Sequence, residues 1–158
     1  EFEPRRRQDV DMIFLIATPA EARQIKPTLA FHYAGDVPVY ATSQIYTGQI
    51  STTDSDLNGI RFNTLPWQFD HTRPEKQLLS QHSQVPIAFI PLQAMGVDAY
   101  HLYPRLPQLH RLGRARLFGA TGNLSLNAQG QVKRELIWAR FTGNNVELLP
   151  AIIDQPND

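Results

Sequence analysis

Between Met12 and Ala17 every position is apolar, and Thr18-Pro19-Ala20-Glu21 follows without a gap. A short apolar run bounded by polar residues reads as a buried strand. Thr18 then stands where an N-cap belongs, Pro19 at the first helical position and Glu21 at the third, the pattern of a capping box. Ala22, Ile25, Leu29 and Ala30 continue with helical spacing. Pro27 interrupts that stripe and is expected to kink or restart the helix, because it lacks a donor and crowds the preceding turn. Gly35-Asp36 closes the segment, and Val37 to Thr42 returns to strand character. Strand, helix and strand over this distance predict a βαβ unit with parallel strands and a right-handed crossover.

Ser43 to Asn58 is a polar connection containing Ser-Thr-Thr-Asp-Ser-Asp, longer than a compact domain usually needs. Gly59 to Pro66 alternates as a short strand, and Glu75 to Ser83 is a modest helix candidate. Leu92, Met95, Ala99, Leu102, Leu106 and Leu109 recur at helical spacings and predict one apolar face. Pro104 and Pro107 divide that stretch into a helix from about Pro91 to Tyr103 and a shorter piece ending near Leu112. Beyond Gly113 the pattern changes to strands. Two runs flank the turn residues Asn127 to Gly130, and Thr142-Gly143-Asn144-Asn145 precedes a last run, Val146 to Leu149. The chain reads as βαβ, long loop, helices and then an antiparallel meander.

At 158 residues, with 42% apolar and 19% charged positions, the chain can bury a core, and neither disorder nor a membrane span is indicated. Fifteen basic residues cancel fifteen acidic ones, which removes the footprint of a nucleic-acid binder. Arg5-Arg6-Arg7 is the one cationic run and reads as a solvated strand entry. The absence of cysteine excludes disulfides, thiolate zinc sites and a Cys nucleophile. The chain begins without Met and carries no signal peptide, so it is expected to be a piece of a longer precursor.

No nucleophile elbow, phosphate loop, His-Glu-x-x-His or Gly-x-Gly-x-x-Gly is present. His32, His71, His82, His101 and His110 never fall at ligand spacing, so neither a metal nor a cofactor is expected. Asp9 and Asp11 could be mistaken for paired catalytic carboxylates, the basis of a hydrolase reading. They precede the first strand, at the edge opposite the one where open α/β sheets act. They read as residues that end the strand, and Asp98 reads as a helix-surface or helix-packing residue. Thr18, Thr42, Ser43 and Tyr46 lie at or past the carboxyl ends of the two parallel strands, where such sheets hold ligands. Trp67 follows the third strand and is the fifth candidate to line that crevice, with core packing as its competing role. Arg105, Arg111, Arg114 and Arg116 form a basic cluster that would meet an acidic partner protein, or simply face solvent.

Two stretches carry a resemblance. Gln93 to Leu102 (QAMGVDAYHL), followed by FGATGNLSLNAQGQVKRELIW, resembles the tail of type I periplasmic-binding-protein folds. More narrowly, RRRQDVDMIFLIATPAEARQIKP, GDVPVYATS and AMGVDAY are similar to the carboxy-terminal domain of the LppC/YraM (LpoA) family. The similarity runs from about Arg5 to Leu149. It implies an α/β fold, part of a type I periplasmic-binding-protein-like two-lobed domain and mainly its second lobe. It also implies an outer-membrane lipoprotein facing the periplasm, attached only by a lipid anchor outside this chain. The family's role is non-enzymatic: it binds and stimulates a class A penicillin-binding protein, with peptidoglycan as a further candidate partner. The alternative is a periplasmic solute-binding or sensor domain for an amino acid, sugar or muropeptide. On this reading 1–158 is a single partial domain. Residues 5–58 and 114–150 form the second-lobe portion, and 59–113 the crossover strand and helices of the first lobe. Apolar helix faces left open by a partial domain predict a dimer or domain swap.

Overall fold

The computed structural model describes residues 9–82 and 84–150; Arg5, Arg6 and Arg7 lie outside them. The described residues form two compact units, 9–64 with 138–150, and 65–137. The expected divisions at 59 and 114 therefore fall elsewhere. The strand expected to begin the excursion stays in the first unit's sheet, and the hairpin expected to return belongs to the second unit.

In the first unit, β1 (Ile13–Leu15), α1 (Pro19–Phe31) and β2 (Val39–Ala41) form the expected βαβ, with Ile13, Phe14 and Leu15 registered parallel to Val39, Tyr40 and Ala41. Strand β3 (Arg61–Thr64) adds parallel to β2. Strands β7 (Ile137–Thr142) and β8 (Asn145–Leu148) complete the order β1-β2-β3-β7-β8. The switch from parallel to antiparallel occurs at Gly59. Its N–H donates to the Phe141 carbonyl at 2.9 Å, and the Phe141 N–H donates to Ile60 at 3.0 Å. With φ of +86° at Gly59, this is the pattern of a G1 bulge. The β7–β8 hairpin turns on Gly143 at φ +59°, a positive first central residue followed by Asn144.

Helix α1 runs unbroken through Pro27. The expected kink does not end the helix, since the proline withdraws only one donor from a turn that the flanking bonds hold. Its end is a Schellman motif: Ala34 N–H reaches the Leu29 carbonyl at 2.8 Å and Tyr33 N–H the Ala30 carbonyl at 3.1 Å. Between α1 and β3, the polar connection folds into two short 3-10 turns, Ser43–Ile45 and Thr52–Leu57. Asp54 is buried there, accepting from Arg23 Nη2 at 2.7 Å and Ser51 N–H at 2.8 Å. The charged pair tethers the connection to α1, so the residues Ser51 to Leu57 are a packed element and not a free loop.

One face of this sheet is covered. Leu15, Val39, Ala41, Phe62, Ala139 and Phe141 are buried on it. The rings of Tyr46, Phe62 and Phe141 cluster with centroids 4.8 to 6.0 Å apart. The other face is open, with Met12, Phe14 and Ile16 exposed in alternation with the half-buried Ile13 and the buried Leu15 and Ala17. The first strand thus alternates, where its unbroken apolar run predicted burial on both faces.

The second unit holds α2 (Pro66–Phe69), α3 (Pro74–His82), α4 (Ile90–Leu102) and α5 (Leu106–Arg111). They are followed by an antiparallel sheet of β4 (Leu117–Phe118), β5 (Asn123–Leu126) and β6 (Val132–Glu135). The expected meander is therefore two structures: β4–β6 form their own sheet, while β7–β8 join the parallel one. Leu65, Trp67, Ala94, Val97 and Ala120 form the core, with Leu79, Ile90 and Leu136 packed against it. Helix α4 buries Ala94, Val97 and Asp98 and exposes Leu92, Met95 and Ala99. The stripe expected on one apolar face is largely the face left open. A helix apolar nearly all round gives two candidate stripes, and spacing alone does not choose between them.

Candidate functional site

At the carboxyl end of β1, Thr18 is exposed and fully engaged in capping α1. Its N–H and hydroxyl both donate to Glu21 Oε2 at 2.8 Å, and its Oγ1 accepts from the Glu21 N–H at 3.5 Å. Those bonds hold the Glu21 carboxyl below its ordinary value. Pro19 supplies no N–H, and the Glu21 carboxylate occupies the helix start, so this edge is not a receptor for anions. At the end of β2, Ser43 is exposed, whereas Thr42 Oγ1 is buried without a hydrogen-bond partner.

Tyr46 and Trp67 do not line a crevice. Tyr46 is 7% exposed among the rings of the first unit's core, where burial and then the Asp54 charge push its pKa up. Trp67 is 1% exposed in the core of the second unit, with Lys76 Nζ 5.6 Å from its ring centroid and donating to its carbonyl. Large aromatic side chains next to strand ends are claimed by packing here. The four arginines are solvent-facing. Arg105 donates to the His101 carbonyl at 3.0 Å, Arg116 pairs with Glu135, and Arg111 sits in the last turn of α5.

The structure groups other residues that the chain pattern did not single out. On the open face of the first unit's sheet, Tyr40, Arg61, Trp138, Arg140, Leu149 and Pro150 enclose a groove of about 360 Å³. Phe14, Tyr40 and Arg61 stand in one row across β1, β2 and β3. Arg61 Nη1 donates to Tyr40 Oη at 2.7 Å, and its guanidinium lies 5.5 Å from that ring's centroid. Tyr40 and Trp138 meet edge to face at 6.0 Å, and Arg140 pairs with Glu147 across the β7–β8 hairpin at 3.0 Å. Rings and guanidinium groups bind and orient a partner but exchange no proton near neutral pH. The one available signal was alternation: Tyr40, Arg61 and Arg140 lie between buried positions of their strands, and Trp138 lies between the half-buried Ile137 and the buried Ala139.

In the second unit, Asp98 is 5% exposed and its carboxylate holds the loop Gly119 to Gly122. It accepts from the Ala120 N–H, from the Thr121 N–H at 2.8 Å and from the Thr121 hydroxyl at 2.6 Å. A Cβ on Gly119 would lie 2.6 Å from Asp98 Oδ1, and one on Gly122 2.2 Å from the Glu135 carbonyl oxygen. The Gly-x-Asp-Ala helix and the Gly-x-Thr-Gly strand therefore belong to one clasp, each requiring the other's small or charged residues. A mostly apolar cavity of about 390 Å³ lies between α3 and α4, bordered by Leu78, Leu79, Gly96, Val97 and Tyr100, with Glu75 at its edge paired to His101 Nε2 at 2.7 Å. Among the described residues no cluster of His, Asp or Glu could hold a metal ion, and no helix is long and apolar enough to cross a membrane.

The family model described as LppC putative lipoprotein matches residues 1–144. The penicillin-binding protein activator LpoA of Vibrio cholerae is 32% identical over 143 residues, covering 88% of this chain and 23% of its own length. The chain thus spans about a quarter of the curated relatives it matches. Among solved structures, the LpoA (YraM) C-domain of Haemophilus influenzae, a regulator of PBP1A, superposes with a TM-score of 0.75 at 24% identity over 92% of this chain and 46% of that one. A putative branched-chain amino acid ABC transporter of Chromobacterium violaceum superposes with a TM-score of 0.59 at 30% identity, over 83% of this chain and 42% of that chain. The fold is α/β with a mixed sheet, parallel over β1–β3 and antiparallel over β7–β8, of the periplasmic-binding-protein type.

Proposed function

We propose that this chain, which belongs to the LppC lipoprotein family, is part of a regulator that binds a penicillin-binding protein and raises its rate of peptidoglycan synthesis without performing chemistry itself. The observation that carries the reading is the family match over residues 1–144, with relatives named as activators of penicillin-binding proteins. The clasp between Asp98 and the Gly119–Gly122 loop supports it, because the paired motifs are used as architecture and so leave the surface for recognition. The partner is a class A synthase, and the regulator is held at the outer membrane by a lipid anchor beyond this chain, facing the periplasm. Residues 65–137 would then be the excursion into the first lobe of a two-lobed domain, and the first unit part of the second lobe. Arg105, Arg111, Arg114 and Arg116 are the residues offered to an acidic surface of the synthase or to peptidoglycan.

The experiment is a glycan-polymerisation assay with a purified class A synthase, with and without the full-length protein that contains this chain. A faster rate and capture of the synthase on immobilised regulator are expected, and charge reversal of the four arginines is expected to weaken capture. No capture and no change in rate would overturn the reading.

One observation favours a second reading, a solute-binding role: the buried, unpartnered Thr42 hydroxyl at the end of β2. That role requires an amino acid, sugar or muropeptide to raise the melting temperature, and Thr42→Val to abolish the rise. A ligand library that leaves the melting temperature unmoved removes it.

A further inference from the structure

Asn58-Gly59 is the one Asn-Gly pair in the sequence. It forms a corner between Leu57 and Ile60, both fully buried. Asn58 has φ −47° and ψ 131°, Gly59 has φ +86°, and the Ile60 N–H donates to the Leu57 carbonyl at 3.1 Å. Those angles and that bond make a type II turn, whose third residue takes a positive φ and so favours glycine. A Cβ on Gly59 would meet nothing within 4 Å, so the backbone angle, and not a lack of space, calls for glycine. Asn58 has its own task. Its Oδ1 accepts from the Gly143 N–H at 3.0 Å and ties the corner to the tip of the β7–β8 hairpin. Two structural requirements thus place side by side the pair in which an asparagine carboxamide is most open to attack by the next backbone nitrogen, because no side chain shields that nitrogen.

We propose that Asn58 is a latent modification site: opening of the seam between β3 and β7 lets it convert to aspartate or isoaspartate through a cyclic imide, and the isoaspartate form no longer rebuilds the turn. The Gly59 nitrogen attacks Asn58 Cγ, and the carboxamide nitrogen leaves as ammonia, carrying the Gly59 proton. Water then cleaves the new N–Cγ bond to give aspartate, or the original peptide bond to give isoaspartate. Three restraints oppose the first step in the closed protein. Ring closure turns the Gly59 nitrogen into eclipse with Asn58 Cβ, and a ψ of 131° holds it far from there. The Gly59 N–H is committed to the Phe141 carbonyl at 2.9 Å. The carboxamide is held by the Gly143 N–H. All three lie within the first unit, so they hold whatever lies against its surface. They lapse together when the seam opens locally. Aspartate keeps an oxygen for the Gly143 N–H, whereas isoaspartate inserts a main-chain carbon that carries the Gly59 N–H away from Phe141.

The test is site-resolved peptide mapping of the full-length protein that contains this chain, aged in mildly alkaline buffer, both folded and in urea. The readouts are the mass gain of amide-to-acid conversion and labelling by isoaspartyl methyltransferase, and neither involves a synthase. In urea, Asn58 is expected to convert faster than any other asparagine of the chain. Gly59→Ala, read in urea where folding plays no part, is expected to lose most of that conversion. In the folded protein the rate at Asn58 is expected to be lower by about tenfold or more, the protection given by a seam that opens only locally. Phe141→Leu trims a buried ring beside the seam. It is expected to raise the folded rate severalfold and leave the urea rate unchanged. The isoaspartate fraction is expected to melt below Asn58→Asp, which melts with the parent. Equal rates in the folded protein and in urea, or a urea rate at Asn58 no higher than at Asn63 or Asn123, overturn the proposal. A Phe141→Leu protein with the parent's folded rate, or an isoaspartate fraction that melts with Asn58→Asp, overturns it as well.

Discussion

The carboxylate of Asp98 receives both the backbone N–H of Thr121, at 2.8 Å, and its hydroxyl, at 2.6 Å. With the Ala120 N–H as a third donor, one buried side chain on α4 fixes the loop that leads into β5. Removing it strands two backbone donors away from water. Asp98→Ala is expected to destabilise the second unit by about 3 kcal/mol, the scale set by losing charged hydrogen bonds and leaving donors unsatisfied. Urea unfolding of parent and variant measures it, and a loss under about 1 kcal/mol would mean that the loop holds itself.

The glycines beside Asp98 are coupled to it by space. A methyl group at position 119 meets the carboxylate oxygens at 2.6 and 2.8 Å, whereas at 122 it meets the Glu135 main chain at 2.2 Å. Gly119→Ala is therefore expected to cost much less when Asp98 is already alanine. Gly122→Ala should cost the same in either background, since backbone cannot step aside. A double-mutant cycle on denaturation free energies reads the difference, with a coupling on the order of 1 kcal/mol or more for the first pair.

Tyr33 closes helix α1 in a left-handed conformation, φ +59°, where glycine is the usual occupant. Its side chain is 61% exposed, so little packing is lost on removing it. Tyr33→Gly is expected to stabilise the protein by about 1 kcal/mol, the steric cost of the left-handed region for an L side chain offset by the glycine's greater unfolded freedom. A thermal melt tests the sign, and a lower melting temperature would contradict this account of the Schellman turn.

Acid should act through the cap of the same helix. Bonds from the Thr18 backbone and side chain lower the Glu21 pKa from an ordinary 4.5. A depressed folded pKa contributes stability that is complete above the unfolded value and lost as pH falls through the folded one. Melting temperature should therefore drop as pH goes below 4.5, with Asp70, lowered by Thr72, and Glu75, lowered first by its own backbone N–H, acting in the same sense. Glu21→Gln should reduce the slope of that drop and leave the other two contributions in place. Equal slopes in parent and variant would show the capping bond to be absent in solution.

Local chemistry explains what was legible in the chain. Thr-Pro-Ala-Glu after an apolar run specifies its own cap, and Asn127 to Gly130 its own turn, where Asn127 Oδ1 accepts from the Gln129 and Gln131 N–H groups. Both depend on residues within a few positions. The face of α4 that would be buried was not legible, because Ala94 and Val97 compete with Leu92 and Met95 and only the partner elements decide. The division of the last strands was equally hidden. It depends on the Gly59 bulge pairing with Phe141, more than eighty positions away. For the site, hydroxyl residues at strand ends were found where expected, but Tyr46 and Trp67 went to the two cores, and the groove around Arg61 needed three strands in register to exist.

The chain's two tryptophans fall one to each unit, Trp67 at 1% exposure in the second and Trp138 at 37% on the open sheet face of the first. Each unit thus carries its own optical reporter. Trp67 sits in an apolar core and should emit at short wavelength, shifting red only when its unit opens. Trp138, partly wet and edge-on to Tyr40, should respond instead to whatever settles on that face. Single-tryptophan variants would separate the loosening of one unit from the covering of the other in a single titration.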